Sequence, residues 1–388
     1  MQVAALISIV VLAALATDFI VPVLPIIEGE LHTSAASAQM LISVFLASYA
    51  LGQIPCGVAA DRIGRLPVLY SALGVFLLGS VVCVFAENIT ALFAGRFIQG
   101  LGAAGTAVMS RTLARDLRSG HELTKLLALY VAVLATLPIV GPAVGGWLGA
   151  IVSWQSVFVF ITAAVLASIF LCLCSLRESP RQDQKITAER DGFSTTFRHF
   201  VASRQSVWSS LLLGFAFFGF MSILSGFGNV IVDVYKRPTI EIGPILSAVM
   251  IFFVSSSVLS RMTVSTVGEL TLIKYAAYIF LLATLLNVYV LAVQPVSLVW
   301  FLLGIISYMF GLGLLFPNTT ALALAPLPHI AGLASSLLGT VQISFAFAGS
   351  ALTASLYIES LTHIALPLVI AGTGIFVLYL RRFSYLNH

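Results

Sequence analysis

The feature that most limits what this chain can become is a succession of apolar runs, each long enough to cross a bilayer, separated by short polar breaks. A helix rises 1.5 Å per residue, so roughly 20 apolar residues span the hydrocarbon core. Reading runs against breaks predicts spans at 4–26, 38–59, 67–86, 89–110, 126–150 and 154–175, then at 207–232, 243–260, 272–292, 296–318, 331–356 and 362–380. Lipid offers no partner to an unpaired backbone group, so helices are expected rather than open sheets. Composition agrees: 60% of the 388 residues are hydrophobic, 9% are charged, and the mean hydropathy is +1.07. Soluble domains carry about 25% charged residues.

One long polar segment, 177–206, divides the chain into 1–176 and 207–388, with six runs on each side. Two six-helix groups about a central loop form a plan used by secondary transporters, whose halves rock around a site between them. Similarity between the halves is faint, so the repeat rests on the count and the loop position. With a cytoplasmic N-terminus, 16 of the 19 Lys and Arg residues fall in cytoplasmic segments, among them Arg62, Arg65, Arg111, Arg115, Arg381 and Arg382. The positive-inside rule favours that orientation, with both termini cytoplasmic. The net charge of +4 is thereby a matter of topology and makes no case for nucleic-acid binding.

Several function classes find no support. Cys56, Cys83, Cys172 and Cys174 all lie in predicted spans without metal-ligand spacing to His, and read as small packing residues. No nucleophile elbow or phosphate loop is present, and the glycines of Gly100-Leu101-Gly102 lie in a span rather than after a strand. Neither a cofactor nor a metal is expected, and the energy source is expected to be an ion or substrate gradient. Ala14-Leu15-Ala16 has the outline of a signal-peptide cleavage site. No basic residue precedes Arg62, however, and the apolar run continues to Ile27, so a retained span is expected.

Three segments carry chemistry. Gly57-Val58-Ala59-Ala60-Asp61-Arg62-Ile63-Gly64-Arg65 joins spans two and three. Gly57 would allow close helix approach, Gly64 suits a tight turn, and Asp61 could pair with Arg62 or Arg65 or face a helix N-terminus. Span four holds Arg96, Gln99, Gly100, Gly102 and Gly105. An arginine inside a span is a functional candidate, with snorkelling to the interface as the competing reading. Span five ends with Pro138, Gly141, Pro142, Gly145 and Gly146. Glycines four apart bare one helix face for a neighbour, and Pro142 removes a backbone donor.

These segments resemble motifs A, B and C of the major facilitator superfamily. The resemblance implies an all-α membrane protein with twelve transmembrane helices in two six-helix bundles. It also implies a gating role for Asp61, Arg62 and Arg65, and a link between Arg96 and proton coupling. Motif C marks antiporter branches and favours export over import. Leu66 departs from motif A, where many members carry another basic residue. Thr17-Asp18-Phe19 with Pro22 and Pro25, and the stretch from Gly311 through Pro317 and Asn318 to His329, look like the Bcr/CflA group of drug–proton antiporters. The expected partners are protons, a small-molecule substrate and the bacterial inner membrane, and the expected state is a monomer. Span seven, with Phe217, Ser222, Ser225 and Asn229, departs from that group's pattern. Export of an endogenous metabolite such as a siderophore or amino acid therefore stands as an alternative, and proton-coupled import as a further one.

Asp18 is the only acid well inside a span. Its depth from the outer end, roughly 12 Å, matches the roughly 10 Å of Arg96. Asp18 is expected to take a proton outside and surrender it inside, with Arg96 setting its affinity; a fixed structural ion pair is the competing reading. Hydrogen bonds in the cavity are expected from Tyr49, Gln53, Gln99, Ser222, Ser225, Asn229, Tyr308, Asn318 and Gln342. Aromatic surface is expected from Phe45, Phe217, Phe220 and Phe310. Such a cavity suits amphiphilic substrates.

Overall fold

The computed structural model describes residues 1–117, 120–176, 193–294, 297–327, 331–356 and 360–382, and every regular element among them is helical. The first span is α1 (Gln2–Asp18) and α2 (Leu24–Glu30) joined by a 3-10 turn at Val21–Val23. Then follow α3 (Ala35–Ile63), α4 (Arg65–Val84), α5 (Ile89–Leu117), α6 (Gly120–Ile151) and α7 (Gln155–Ser175). A short α8 (Phe193–Ala202) leads to α9 (Arg204–Asn229), α10 (Ile242–Val267), α11 (Glu269–Ala292), α12 (Leu298–Leu324), α13 (Ala331–Ser355) and α14 (Thr362–Leu380).

The expected spans and these helices correspond one to one, with two corrections. The first span is continuous in sequence but broken in space. Pro22 has no N–H for the Asp18 carbonyl, and its ring crowds that carbonyl, so α1 stops at Asp18. The central segment 177–206 is not all loop: residues 177–192 lie outside the described residues, but 193–202 are helix and α9 starts at Arg204. Ser203 caps α9 by accepting from the Ser206 backbone N–H at 3.2 Å. Phe200 anchors α8 on Leu327, Ala334 and Leu337.

Among the described residues ten helices are long and apolar enough to cross a membrane. The described apolar stretch of α6 is Thr136–Ile151, and α5 is diluted by Arg96, Arg111 and Asp116. Outward-facing side chains include Leu78, Trp147, Phe170, Leu173, Leu282 and Leu285, an apolar belt that only lipid can cover. The chain is a multi-pass membrane protein.

The packing repeats. α4 packs on α5, α5 on α3, and α1 on α5, α6 and α7; likewise α11 packs on α12, α12 on α10, and α9 on α12, α13 and α14. The two six-helix sets meet through α3 against α13 and α6 against α10. The repeat that sequence shows only faintly is plain at the turns. Gly64 between α3 and α4 has φ +102°, and Gly268 between α10 and α11 has φ +83°, with ψ extended in both. That region is essentially closed to residues with a Cβ.

Candidate functional site

The break in the first span builds the site. A helix end leaves its last carbonyls without intrahelical partners and carries partial negative charge. The Ala16 carbonyl at the end of α1 is taken by Arg96, whose Nη1 donates to it at 3.0 Å. The same Nη1 donates to Oε1 of Gln99, and Nε donates to the Leu41 carbonyl at 3.3 Å. The guanidinium lies 4.2 Å from the Phe45 ring centroid and is fully buried. It thus ties α5 to both α1 and α3.

The expected contact between Arg96 and Asp18 is not made. The two residues lie on packed helices, α1 and α5, but Asp18 faces elsewhere. Two residues along a helix turn a side chain about 200° from the first. Asp18 is buried at 5% exposure, accepts from the Thr17 hydroxyl at 3.3 Å, and lies against α6 at Gly141. A Cβ on Gly141 would stand 2.8 Å from that of Asp18; one on Gly145 would overlap the Phe19 carbonyl oxygen; one on Gly149 would overlap Val23. The glycine stripe of α6 is therefore the seat of the broken first span. Its other side reaches across the molecule, where a Cβ on Gly146 would stand 3.5 Å from Gly243 of α10, and Gly243 itself sits on Pro142 and Ala143. Pro138, one turn before Pro142, is half-buried in the same helix.

Two ends of the molecule can be told apart. At one, Arg65 of α4 forms an ion pair with Asp116 in the last turn of α5; this is the basic end. Asp61 was expected to partner Arg62 or Arg65, but its side chain lies outside the described residues. Arg62 is exposed, and Gly57 sits in open space with nothing within 4 Å of a Cβ, so the close approach expected there is absent. At the other end, marked by Glu28, hydrogen bonds join the two halves. Asn229 donates from Nδ2 to Glu28 Oε2 at 2.8 Å and accepts from Gln39 Nε2 at 3.2 Å. One turn deeper the hydroxyls of Ser43 and Ser350 meet at 2.8 Å.

A cavity of about 250 Å³ lies at mid-depth and toward the basic end. Val10, Ala13, Ala14 and Thr17 of α1 line it with Phe45, Leu46 and Tyr49 of α3 and Ala107 and Arg111 of α5; Leu134, Met221 and Ile343 come from α6, α9 and α13. Of the nine polar residues expected there, only Tyr49 is in the wall. Ser222 and Gln342 are the immediate neighbours of Met221 and Ile343, so each was one position off; the Ser222 hydroxyl donates to the Phe218 carbonyl at 2.8 Å.

Most of the others do structural duty. Gln99 holds Arg96 and donates to Ser80 Oγ at 2.9 Å. Tyr308 donates to the carbonyls of Phe215 and Ala216, tying α12 to α9. Asn318 donates to Ser260 Oγ and to the Leu314 carbonyl, both at 2.7 Å, tying α12 to α10. Gln53 is buried beside Gly339 where the halves meet, with no partner for Oε1 among the described residues, and Ser225 is buried in α9. Arg111 is the charged wall residue that sequence misplaced. The fourth span was expected to end at 110, but α5 runs on to Leu117 and carries Arg111 inside.

Two helical bundles around a central cavity, closed against each other at one end, make a membrane transporter and not an enzyme. The family is shown by sequence: the Major Facilitator Superfamily profile matches residues 6–351, and the chain belongs to that superfamily. Among relatives, the multidrug resistance protein MdtL of Escherichia coli is 28% identical over 340 residues, covering 87% of this chain and 84% of that protein. The uncharacterized MFS-type transporter YdgK of Bacillus subtilis is 27% identical, covering 86% and 83%. A bicyclomycin resistance protein homolog of Haemophilus influenzae is 23% identical, covering 88% and 86%. Among solved structures, a D-xylose–proton symporter superposes with TM-score 0.79 at 16% identity, covering 99% of this chain and 96% of that one. At that identity the likeness is one of fold alone.

Proposed function

We propose that this chain exports small amphiphilic organic molecules from the bacterial cytoplasm in exchange for protons, with Asp18 as the proton carrier. The observation that carries the reading is the position of Asp18: a buried carboxylate at the break of the first span, seated on the glycine stripe that also meets the second bundle. A change of charge there acts on the α1–α6 seat directly and on the α6–α10 contact one turn away. Names among the relatives support drug export, since two of them are resistance proteins.

In this reading the basic end faces the cytoplasm, in keeping with the positive-inside rule. The bonds at Asn229 and Ser43 then hold the outer end shut, and substrate enters the cavity from the cytoplasmic side. Arg96, with Gln99, caps α1 and fixes the break instead of pairing with Asp18. Protonated Asp18 and bound substrate exclude one another, so binding substrate expels the proton. Gly57, Asp61, Arg62, Gly64 and Arg65 form the cytoplasmic gate, engaged in the opposite state. The test is proton release. Adding a transported compound to purified protein in weakly buffered detergent should acidify the solution for wild type and leave it unchanged for Asp18→Asn. Equal acidification by both would refute the role of Asp18.

A further inference from the structure

The substrate class can be narrowed, resting on the export reading above. Among the described residues Arg111 is the one charged residue in the cavity wall, and no carboxylate lines that wall. Its Nε donates to the Ala107 carbonyl, its own helix four residues back, at 3.2 Å. Arginine has five N–H donors in a planar fork, so four remain without a protein partner among the described residues. Arg111 is half-buried, so these donors are within reach of a molecule in the cavity. The residues around it offer nothing ionic: Phe45, Leu46, Leu134, Met221 and Ile343 are apolar. The Tyr49 hydroxyl, in the same wall, is also without a partner among the described residues, and is a second donor.

We propose that Arg111 is the substrate's anion-binding residue, and that the preferred substrates are compact amphiphiles with a carboxylate, sulfonate or similar acidic group. The fork of Arg111 takes two oxygens of that group, the Tyr49 hydroxyl donates to it, and the apolar wall covers the body. Tyr49, stacked on Phe45 with centroids 6.0 Å apart, presents an aromatic edge to the substrate's body. A permanently cationic molecule would meet Arg111 as a like charge, with no acid to offset it among the described wall residues. Helical register explains why sequence hid this: Arg111 reads as one of several basic residues at a span end, and only the length of α5 brings it inside.

A matched pair of dyes tests the assignment. 1-Anilinonaphthalene-8-sulfonate and N-phenyl-1-naphthylamine share one ring system and differ in the sulfonate. Binding of each is followed by fluorescence to wild type, Arg111→Gln, Arg111→Lys and Arg381→Gln in zwitterionic-lipid nanodiscs, with empty discs subtracted. The sulfonate should bind wild type more tightly than the neutral dye, and Arg111→Gln should weaken it about tenfold while leaving the neutral dye unchanged. Arg111→Lys should recover part of the loss, and Arg381→Gln, outside the cavity, should do nothing. These readings are of binding alone, without a pH gradient or proton release, so they stand whether or not Asp18 carries the proton. Failure of the sulfonate to bind wild type, or an equal affinity for wild type and Arg111→Gln, overturns the proposal.

Discussion

Replacing Gly145 by alanine tests whether the glycine stripe of α6 is the seat of the broken first span. The added methyl would overlap the Phe19 carbonyl oxygen and lie 2.8 Å from Phe19 Cα and 3.0 Å from its carbonyl carbon. Carbon atoms prefer about 3.5–4.0 Å, so α6 and the turn must separate by about 1 Å. The obstacle is backbone at both contacts, so no rotamer change relieves it. Overpacking of this kind costs about 1–3 kcal/mol. Gly57→Ala is the matched control, because its methyl meets nothing within 4 Å and alanine favours the helix over glycine by up to about 1 kcal/mol. Thermal unfolding of the purified proteins in one detergent is the assay. Gly145→Ala should unfold several degrees below wild type, and Gly57→Ala at or above it. If the contact loosens in the outward-open state, Gly145→Ala also biases the protein toward that state, by about five- to hundredfold in population. Wild-type stability in Gly145→Ala, or an equal loss in Gly57→Ala, would refute the packing argument.

Other perturbations separate gate, scaffold and cavity. Asn229→Ala removes two bonds across the Glu28 end, one to a carboxylate, and should shift the equilibrium toward opening there by about tenfold or more; spin-label distances between the Glu28 ends of α3 and α13 should lengthen. Arg65→Gln breaks an ion pair whose side chains are 39% and 34% exposed, so unfolding stability should change by less than about 1 kcal/mol while the transport rate falls; a large stability loss would make it a strut instead. Tyr308→Phe should cost about 0.5–1.5 kcal/mol of stability without altering substrate affinity, since that hydroxyl serves α9 and lies outside the cavity. Gly64→Ala should be destabilised by about 1–3 kcal/mol by strain at φ +102°.

Sequence disclosed what depends on one helix at a time. Span positions followed from the length of apolar runs. What it could not disclose is which way a side chain faces once neighbours are in place. Arg96 reaches Ala16, two residues before Asp18, and that small offset turns an expected ion pair into a helix cap. Amides were read as cavity lining because they need partners in an apolar span. The partners proved to be other helices, as for Asn318 with Ser260 and Asn229 with Glu28. Gly57 belongs to a recognisable motif, yet stands in open space, so the close helix approach read from its sequence is not made. The second φ-positive turn at Gly268 lay hidden because only the glycine, and not its charged neighbours, repeats the first.

The central claim is that a proton enters the cytoplasm through Asp18 as substrate is carried out. Inside-out membrane vesicles holding the protein, energised to an acidic interior, put it to the test with acidic amphiphiles and known drugs added singly. The account predicts that at least one compound discharges the pH gradient in wild-type vesicles, and that the same compound leaves the gradient intact with Asp18→Asn present at equal amount. Equal discharge by both proteins would contradict it.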